Sequence, residues 1–510
     1  MFSLTRRGLL VGASIAALSF GHIPAFAANQ TVRIGTDVDA ASLDPRTLRN
    51  TTDYRVLDLL YDGLVRLNGD LLPEPNLATK LEQVDPTTLL VTLREDAKFH
   101  DGTPLTAEDV VFTYTSIRDP KLASNAASLF APIETVEAVG THQVKFTLSK
   151  PNAPLLSYMD IGIVPKHAVE AGQDLSNKPV GTGPYKLASW TKGSEIVLEA
   201  NADYAGGAPA TDKIVFVVLG DNTARAQALE AGDLQMIMTP LSPDDVTRLA
   251  ADDRFTHTKL PGLTMTYLGF NTQSPAIADP AVRRVVGMLI DQDVIVDQIY
   301  GGLDIPGTSV LMPSNSWVYS PDIRQPTFDM EGAAKALADL GWTAGSDGML
   351  QKDGQKLTIR LSTNSEDSAR IQTIEYIQNV MQQVGIDAQI SIADFPAWIA
   401  DVRAGNYDIA LLSWVNLVDP DRGTYSHFTT TGATNWGKYS NPVVDEALEK
   451  GRTSLDQQER IEAYHQAARA LAEDLPYYVL SYTGFDAFAS KQITGGEPDD
   501  ARGYLRNLTK

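Results

Sequence analysis

The sequence predicts an α/β protein of two or three domains, on three observations. Its 510 residues exceed what one simple core holds. Its composition, 43% hydrophobic and 21% charged, is that of a folded globular chain rather than a disordered one. Along its second half, short apolar strands alternate with amphipathic helices, the pattern of a sheet flanked by helices.

The strands come first. Leu89, Val91 and Leu93 alternate with polar residues, as do Val144, Phe146 and Leu148, so each set lies on one face of a half-buried strand. The run Ile214 to Leu219 has no alternation and reads as a strand buried on both faces. Asp279-Pro280 then opens a helix with Val282, Val285, Val286, Leu289 and Ile290 on one stripe. Asp279 is its cap and Pro280 its first residue. A helix over Ala333–Leu340 is ended by Gly341. Strand Leu357–Leu361, helix Ile371–Val384, strand Ile386–Ile392 and strand Ile409–Trp414 follow in order. Helices Pro442–Gly451 and Gln457–Glu473 complete the pattern.

The two ends of the composition exclude whole classes of function. A net charge of −22 repels phosphate, and no basic run offsets it, so nucleic acid is excluded as a partner. The chain has no cysteine, which rules out disulfides, thiolate metal sites and cysteine nucleophiles. Residues 1–27 read as a signal peptide. Arg6 and Arg7 precede an apolar stretch, Gly8 to Phe20, too short to span a membrane, and Ala25-Phe26-Ala27 offers a cleavage site. The string Thr5-Arg6-Arg7-Gly8-Leu9-Leu10 has the twin-arginine pattern of export in the folded state. The expectation is a monomeric protein of the periplasm.

Motifs of catalysis are missing. There is no G-x-S-x-G elbow, no H-E-x-x-H and no P-loop. Gly181-Thr182-Gly183-Pro184 reads as a tight turn into a strand, because Pro184 removes a donor that a phosphate loop needs. The seven histidines are scattered, with none at helical spacing from another. The densest chemistry lies in Ser413–Phe428, SWVNLVDPDRGTYSHF. Its Asp419-Pro420-Asp421 is a turn with capping side chains, part of a ligand site, or the carboxylate pair of a secreted hydrolase, for which two residues of separation place them poorly. His427 reads as a surface or cleft-rim residue, since a metal site needs several ligands.

The stretch Leu89–Tyr114, LLVTLREDAKFHDGTPLTAEDVVFTY, closely resembles the signature of the family 5 extracellular solute-binding proteins of ABC importers. Ser42-Leu43-Asp44-Pro45, Tyr61-Asp62-Gly63-Leu64, Pro179 to Tyr185, Phe270-Asn271-Thr272 and Tyr439-Ser440-Asn441-Pro442 match further landmarks in order. The signature itself reads as structural: Asp101-Gly102 suits a hairpin turn, and Thr106 with Asp109 suits a helix start. The resemblance implies a two-lobed α/β periplasmic binding protein, cluster C-like, with an extra subdomain in the first lobe and a hinge between lobes. It implies lobe I from residues 28–60, 180–262 and 480–510, the subdomain from 61–179, and lobe II from 263–479. Crossovers near Gly262 and Leu480 would form the hinge. The implied partners are a small solute, peptide-like by default, and an inner-membrane permease driven by a separate ATPase. No catalytic activity, cofactor or metal is implied. An opine, an oligosaccharide and a nickel chelate are the other solutes of the family.

In peptide binders of this family a carboxylate near the W…DPD segment holds the ligand's amino group, and an arginine elsewhere in the second lobe holds its carboxylate. By that resemblance Trp414, Asn416, Asp419, Asp421 and Arg422 are candidate ligand residues, with Phe395, Trp398, Asn364 and Tyr267 beside them. Two departures stand out. Dipeptide binders carry an aspartate three residues after the tryptophan, where this chain has Leu417. The loop Ser362-Thr363-Asn364-Ser365-Glu366, where the arginine belongs, holds none. Arg422 could serve as the clamp or pair with Asp419 or Asp421.

Overall fold

The computed structural model describes residues 30–47 and 50–493, together with Leu505 and Leu508. The predicted signal peptide and residues 494–504, 506–507 and 509–510 of the last stretch assigned to lobe I lie outside these residues. One mixed sheet of eleven strands runs through both lobes. In the first lobe Thr31–Thr36 lies parallel to Lys213–Val218 and to Met236–Ile237, and Glu195–Ala200 and Tyr185–Thr191 extend the sheet antiparallel. In the second lobe Thr358–Asn364 lies parallel to both Asp387–Ala393 and Ile409–Trp414. The expected strand over Ile214–Leu219 is therefore present one residue earlier, with Ile214, Val215 and Phe216 buried.

Two long antiparallel strands, Phe255–Phe270 and Tyr477–Ser490, join the halves. Sixteen extended residues span about 50 Å, enough to cross from one lobe into the other. Their ladder breaks register between Pro261, opposite Gly484, and Met265, opposite Tyr482. Gly262 sits at the break, where a Cβ would lie 2.2 Å from the Thr483 carbonyl oxygen. Only glycine lets the two backbones approach so closely.

The strand Ile409–Trp414 shows why its sequence is a continuous apolar run. Ile409 and Leu411 face a core with Leu268, Phe270 and helices Pro280–Met288 and Ser368–Gln383. Ala410 and Leu412 face a second core with Met265, Tyr267 and helices Phe395–Ala404, Pro442–Thr453 and Gln457–Asp474. Burial on both faces removes the alternation. The first lobe has its own core around Val32, Ile34, Leu57, Leu60 and Phe216.

Residues Leu64 to Ile163 form a separate core. A four-stranded antiparallel sheet, ordered Ala78–Asp85, Thr88–Leu93, Gln143–Leu148 and Ile133–Gly140, carries helix Ala107–Ile117. Tyr114 of that helix packs edge-on against Phe130 and Phe146, each at 5.1 Å. Leu263 and Val418 enter the same core from distant parts of the chain. The signature motif is structural, as its residues suggest. Gly102 adopts φ +90° in the Asp101 turn, and the Asp109 carboxylate accepts the Thr106 backbone N–H at 2.9 Å.

The glycines of Gly181-Thr182-Gly183 serve close packing against the end of helix Thr51–Leu60. A Cβ on Gly181 would lie 1.8 Å from the Leu60 carbonyl oxygen, and Gly183 N–H donates to that oxygen at 3.0 Å. Strand Tyr185–Thr191 follows directly, as the turn reading expects. Several helices, Asn222–Ala231 and Pro243–Ala250 among them, have no counterpart in the periodicity reading, and two others lie in the second lobe near the Trp414 strand. Phe395–Ala404 is capped by Asp394 and ended by Gly405, and Pro420–Phe428 is capped by Asp419.

Candidate ligand site between the lobes

A cavity of about 130 Å³ lies where helix Thr51–Leu60, the subdomain and the loop after Trp414 meet. Tyr54, Asp58 and Tyr61 supply one side, Asn125, Phe130, Tyr158 and Asp160 another. The second lobe contributes Asn416, Val418 and Arg422. Of the residues expected from the sequence, Asn416 and Arg422 line this cavity and the others do not.

Asn416 reaches it by an unusual backbone. It adopts φ +57°, a left-handed conformation that asparagine tolerates better than other side chains. That turn sends Leu417 into the core, 2% exposed, and leaves Asn416 facing the cleft. Its side-chain N–H donates to the Tyr54 hydroxyl at 3.1 Å, across the lobes. The Leu417 departure thus concerns a core position. The neutral group presented to the cleft is the Asn416 amide.

Asp419 and Asp421, expected as ligand carboxylates, are both paired within the protein and do not line the cavity. Asp419 caps helix Pro420–Phe428 by accepting the Asp421 backbone N–H at 2.9 Å. Both of its oxygens accept from Arg460 Nη2 at 2.9 Å. Asp421 is held by Arg452 through Nε at 2.9 Å and Nη2 at 2.8 Å. Burial pushes the Asp421 carboxyl up, against the bidentate Arg452 bonds, which favour its charged form. A buried carboxylate needs such a partner, so neither is free for a solute. Arg422 pairs with neither of them. Its guanidinium forms no hydrogen bond or ion pair among the described residues, and it is half-buried at the cavity wall.

The aromatics form a packed wall rather than an open face. The Trp414 ring stacks on His427 at 4.0 Å and lies 6.2 Å from Tyr267 and 5.3 Å from Trp436. His427 is buried, not at the surface as expected, and accepts or donates at Nδ1 to Thr434 Oγ1 at 2.6 Å. Burial pushes its pKa down to about 3, so it is neutral at ordinary pH. Among the described residues no group of three acidic or histidine side chains could hold a metal ion.

The remaining expected residues lie elsewhere. Tyr267 is fully buried, and Trp398 is in the core with its indole N–H on Ser362 Oγ at 3.2 Å. Asn364 is buried between Glu366 and Arg370, and Phe395 is exposed on its helix. Arg370 was not visible as a site residue in sequence. It follows the loop by one helical turn, yet its side chain folds back to Asn364 at 3.0 Å and Ser413 at 2.8 Å. A guanidinium therefore stands at the end of these strands although the loop itself holds no arginine.

Paired lobes on one sheet, two connecting strands with a register break, and a cavity where the lobes meet are the architecture of a solute-binding receptor. Residues 73–436 match the family model of bacterial extracellular solute-binding proteins, family 5 Middle. The chain belongs to that family. It is 32% identical to "Protein XP55" of Streptomyces lividans, over 83% of this chain and 78% of the relative. It is 28% identical to the oligopeptide-binding protein AppA of Bacillus subtilis, over 88% and 86% of the two chains. HbpA2 of Haemophilus parasuis shares the fold at a TM-score of 0.84 and 23% identity, covering 93% of this chain and 98% of that one. AppA of Bacillus subtilis in complex with a nonapeptide follows at 0.74 and 25%, covering 94% and 99%. The two-lobed α/β fold is thus as expected, and the protein is a non-catalytic, extracytoplasmic solute receptor of an ABC importer, working with its permease and ATPase.

Proposed function

We propose that this receptor captures a peptide or peptide-like solute in the periplasm, in the cavity between its lobes, and delivers it to the permease. The observation that carries the reading is the cavity's wall. It brings three tyrosines, two amides, two carboxylates and one guanidinium around an apolar floor, which suits an amphipathic solute with several polar groups. The relatives support it: one is an oligopeptide-binding protein, another the dipeptide-binding protein of Escherichia coli, at 25% identity over 97% of this chain. The reading places lobe I, the subdomain and lobe II at the boundaries given above, with closure about the strands that cross near Gly262.

The test is a melting-temperature screen of the mature protein against short peptides, oligosaccharides and opines. A specific solute raises the melting point by mass action. Peptides of two to five residues are expected to raise it. A shift with sugars or opines and none with any peptide would replace the peptide reading.

A further inference from the structure

Resting on the closure read above, we propose that Val418, together with Leu263, is the positioning contact that couples solute capture to closure: an apolar plug of the second lobe that seats in the subdomain core beside the cavity. A split between neighbours carries this. Leu417 is buried in the core of the second lobe, with Tyr267, Leu412 and Phe428. Val418, the next residue, is buried in the core of the subdomain, with Phe130, Tyr158 and Ile161. Two consecutive side chains thus belong to two bodies that closure brings together.

The plug is tied to the second lobe through its backbone. Leu417 N–H donates to the Leu263 carbonyl oxygen at 3.1 Å, and the Leu417 carbonyl accepts from Asn315 Nδ2 at 3.0 Å. Leu263 follows Gly262 directly, at the register break of the crossing strands, and its side chain enters the subdomain core as well. Movement at the break therefore carries Leu263 and Val418 together.

The seat of the plug is also the wall of the cavity. Phe130, Tyr158 and Ile161 line the cavity together with Val418. A solute that packs against them covers the surface that the plug adjoins, so apolar surface of both leaves water at once. The polar ties between the same two bodies give less. Lys150 and Glu449, 3.0 Å apart, are exposed, and Ser157 Oγ stands 3.5 Å from Asp419 Oδ2. Burial of an aliphatic side chain is the larger effect.

The experiment has two arms. In the first, the protein is freed of solute by unfolding, dialysis and refolding, and urea unfolding of Leu417→Ala and Val418→Ala is compared with the parent. Leu417 stays in its core in every arrangement of the lobes, whereas Val418 leaves its seat when they part. Leu417→Ala is expected to lower the midpoint, and Val418→Ala to lower it less than about a third as far. A larger loss, in proportion to the atoms removed, makes Val418 an ordinary core residue and overturns the inference. In the second arm, alanine tri- to pentapeptides are titrated into the parent, Val418→Ala and Leu263→Ala. Val418→Ala is expected to weaken binding about tenfold, mainly through faster release. Leu263→Ala is expected to weaken it too, although Leu263 does not line the cavity. Unchanged binding in Val418→Ala overturns the inference, and so does a loss confined to Val418→Ala, which direct contact with the solute explains. If no peptide binds the parent, the peptide reading falls and the first arm still decides the inference. Circular dichroism of each variant shows that a loss of binding is not a loss of fold.

Discussion

At the scale of single residues, the charged groups of the DPDR segment divide by what surrounds them. Asp419 is 2% exposed and answers Arg460. Removing its charge leaves a buried guanidinium unpaired, so Asp419→Asn is expected to lower stability by about 3–5 kcal/mol. Urea unfolding checks this. Arg422→Gln breaks no bond among the described residues and is expected to stay within about 0.5 kcal/mol of the parent. His427 adds a pH dependence. Its folded pKa is about 3 against 6.5 unfolded, so between those values the unfolded chain holds a proton that the folded chain refuses. Stability is then flat above pH 6.5 and falls on acidification, by up to about 1.4 kcal/mol per unit from this group. His427→Phe is expected to flatten the loss between pH 6.5 and 5 in urea titrations, and an unchanged slope would assign it to other groups.

Among the elements, the paired strands Phe255–Phe270 and Tyr477–Ser490 are the connection about which closure of the lobes is expected. Their register break is held by Gly262 under the Thr483 carbonyl. Gly262→Ala puts a methyl group where backbone stands, so the strands must separate. The expected cost is about 1–3 kcal/mol, with altered closure visible in small-angle scattering with and without solute. The loop Gly181–Gly183 is a second such place. Its glycines admit the end of helix Thr51–Leu60, which carries Tyr54 to the cavity. Gly181→Ala is expected to weaken solute binding through that helix, although residue 181 does not line the cavity. Titration of the variant with any solute found in the screen checks it.

At the scale of the whole molecule, closure rests on few contacts. Asn416 meets Tyr54 at 3.1 Å, Ser316 meets Asp70 at 2.7 Å, Lys150 meets Glu449 at 3.0 Å, and Ala153 N–H donates to the Arg452 carbonyl at 2.9 Å. The exposed pairs among them, Lys150–Glu449 and Ser316–Asp70, contribute at most about 1 kcal/mol each, so a bound solute is expected to favour the arrangement in which the lobes meet. The absence of cysteine makes this directly measurable. Val38 and Val415 are exposed on the two lobes, and both can be replaced by spin-labelled cysteine. Solute is expected to shorten and narrow the distance between the labels. One narrow distribution with and without solute would mean that the lobes do not hinge.

How much of this was legible in sequence follows from range. Periodicity and caps are local, so the helix opened by Asp279-Pro280 and the strand Ile409–Trp414 stand where the residues put them. The ordered landmarks carried the family, because turns and close-packed glycines depend on nearby chain. The helix Pro420–Phe428 was harder, since its proline and acids read equally well as a turn, and packing of Phe428 and His427 decides for the helix. The site was least legible. Asp419 and Asp421 look like free carboxylates until Arg452 and Arg460, thirty-one and forty-one residues away, fold onto them. Arg370 and Tyr54 reach their places only through tertiary contacts. The amino-acid sequence by itself determined fold class, family and acidic surface, because these depend on local pattern and composition. Tertiary structure alone decided which charges are paired inside the protein, Asp419 with Arg460 and Asp421 with Arg452, and that Arg422 stands at the cavity wall instead, because pairing of buried charges is settled only when distant segments pack.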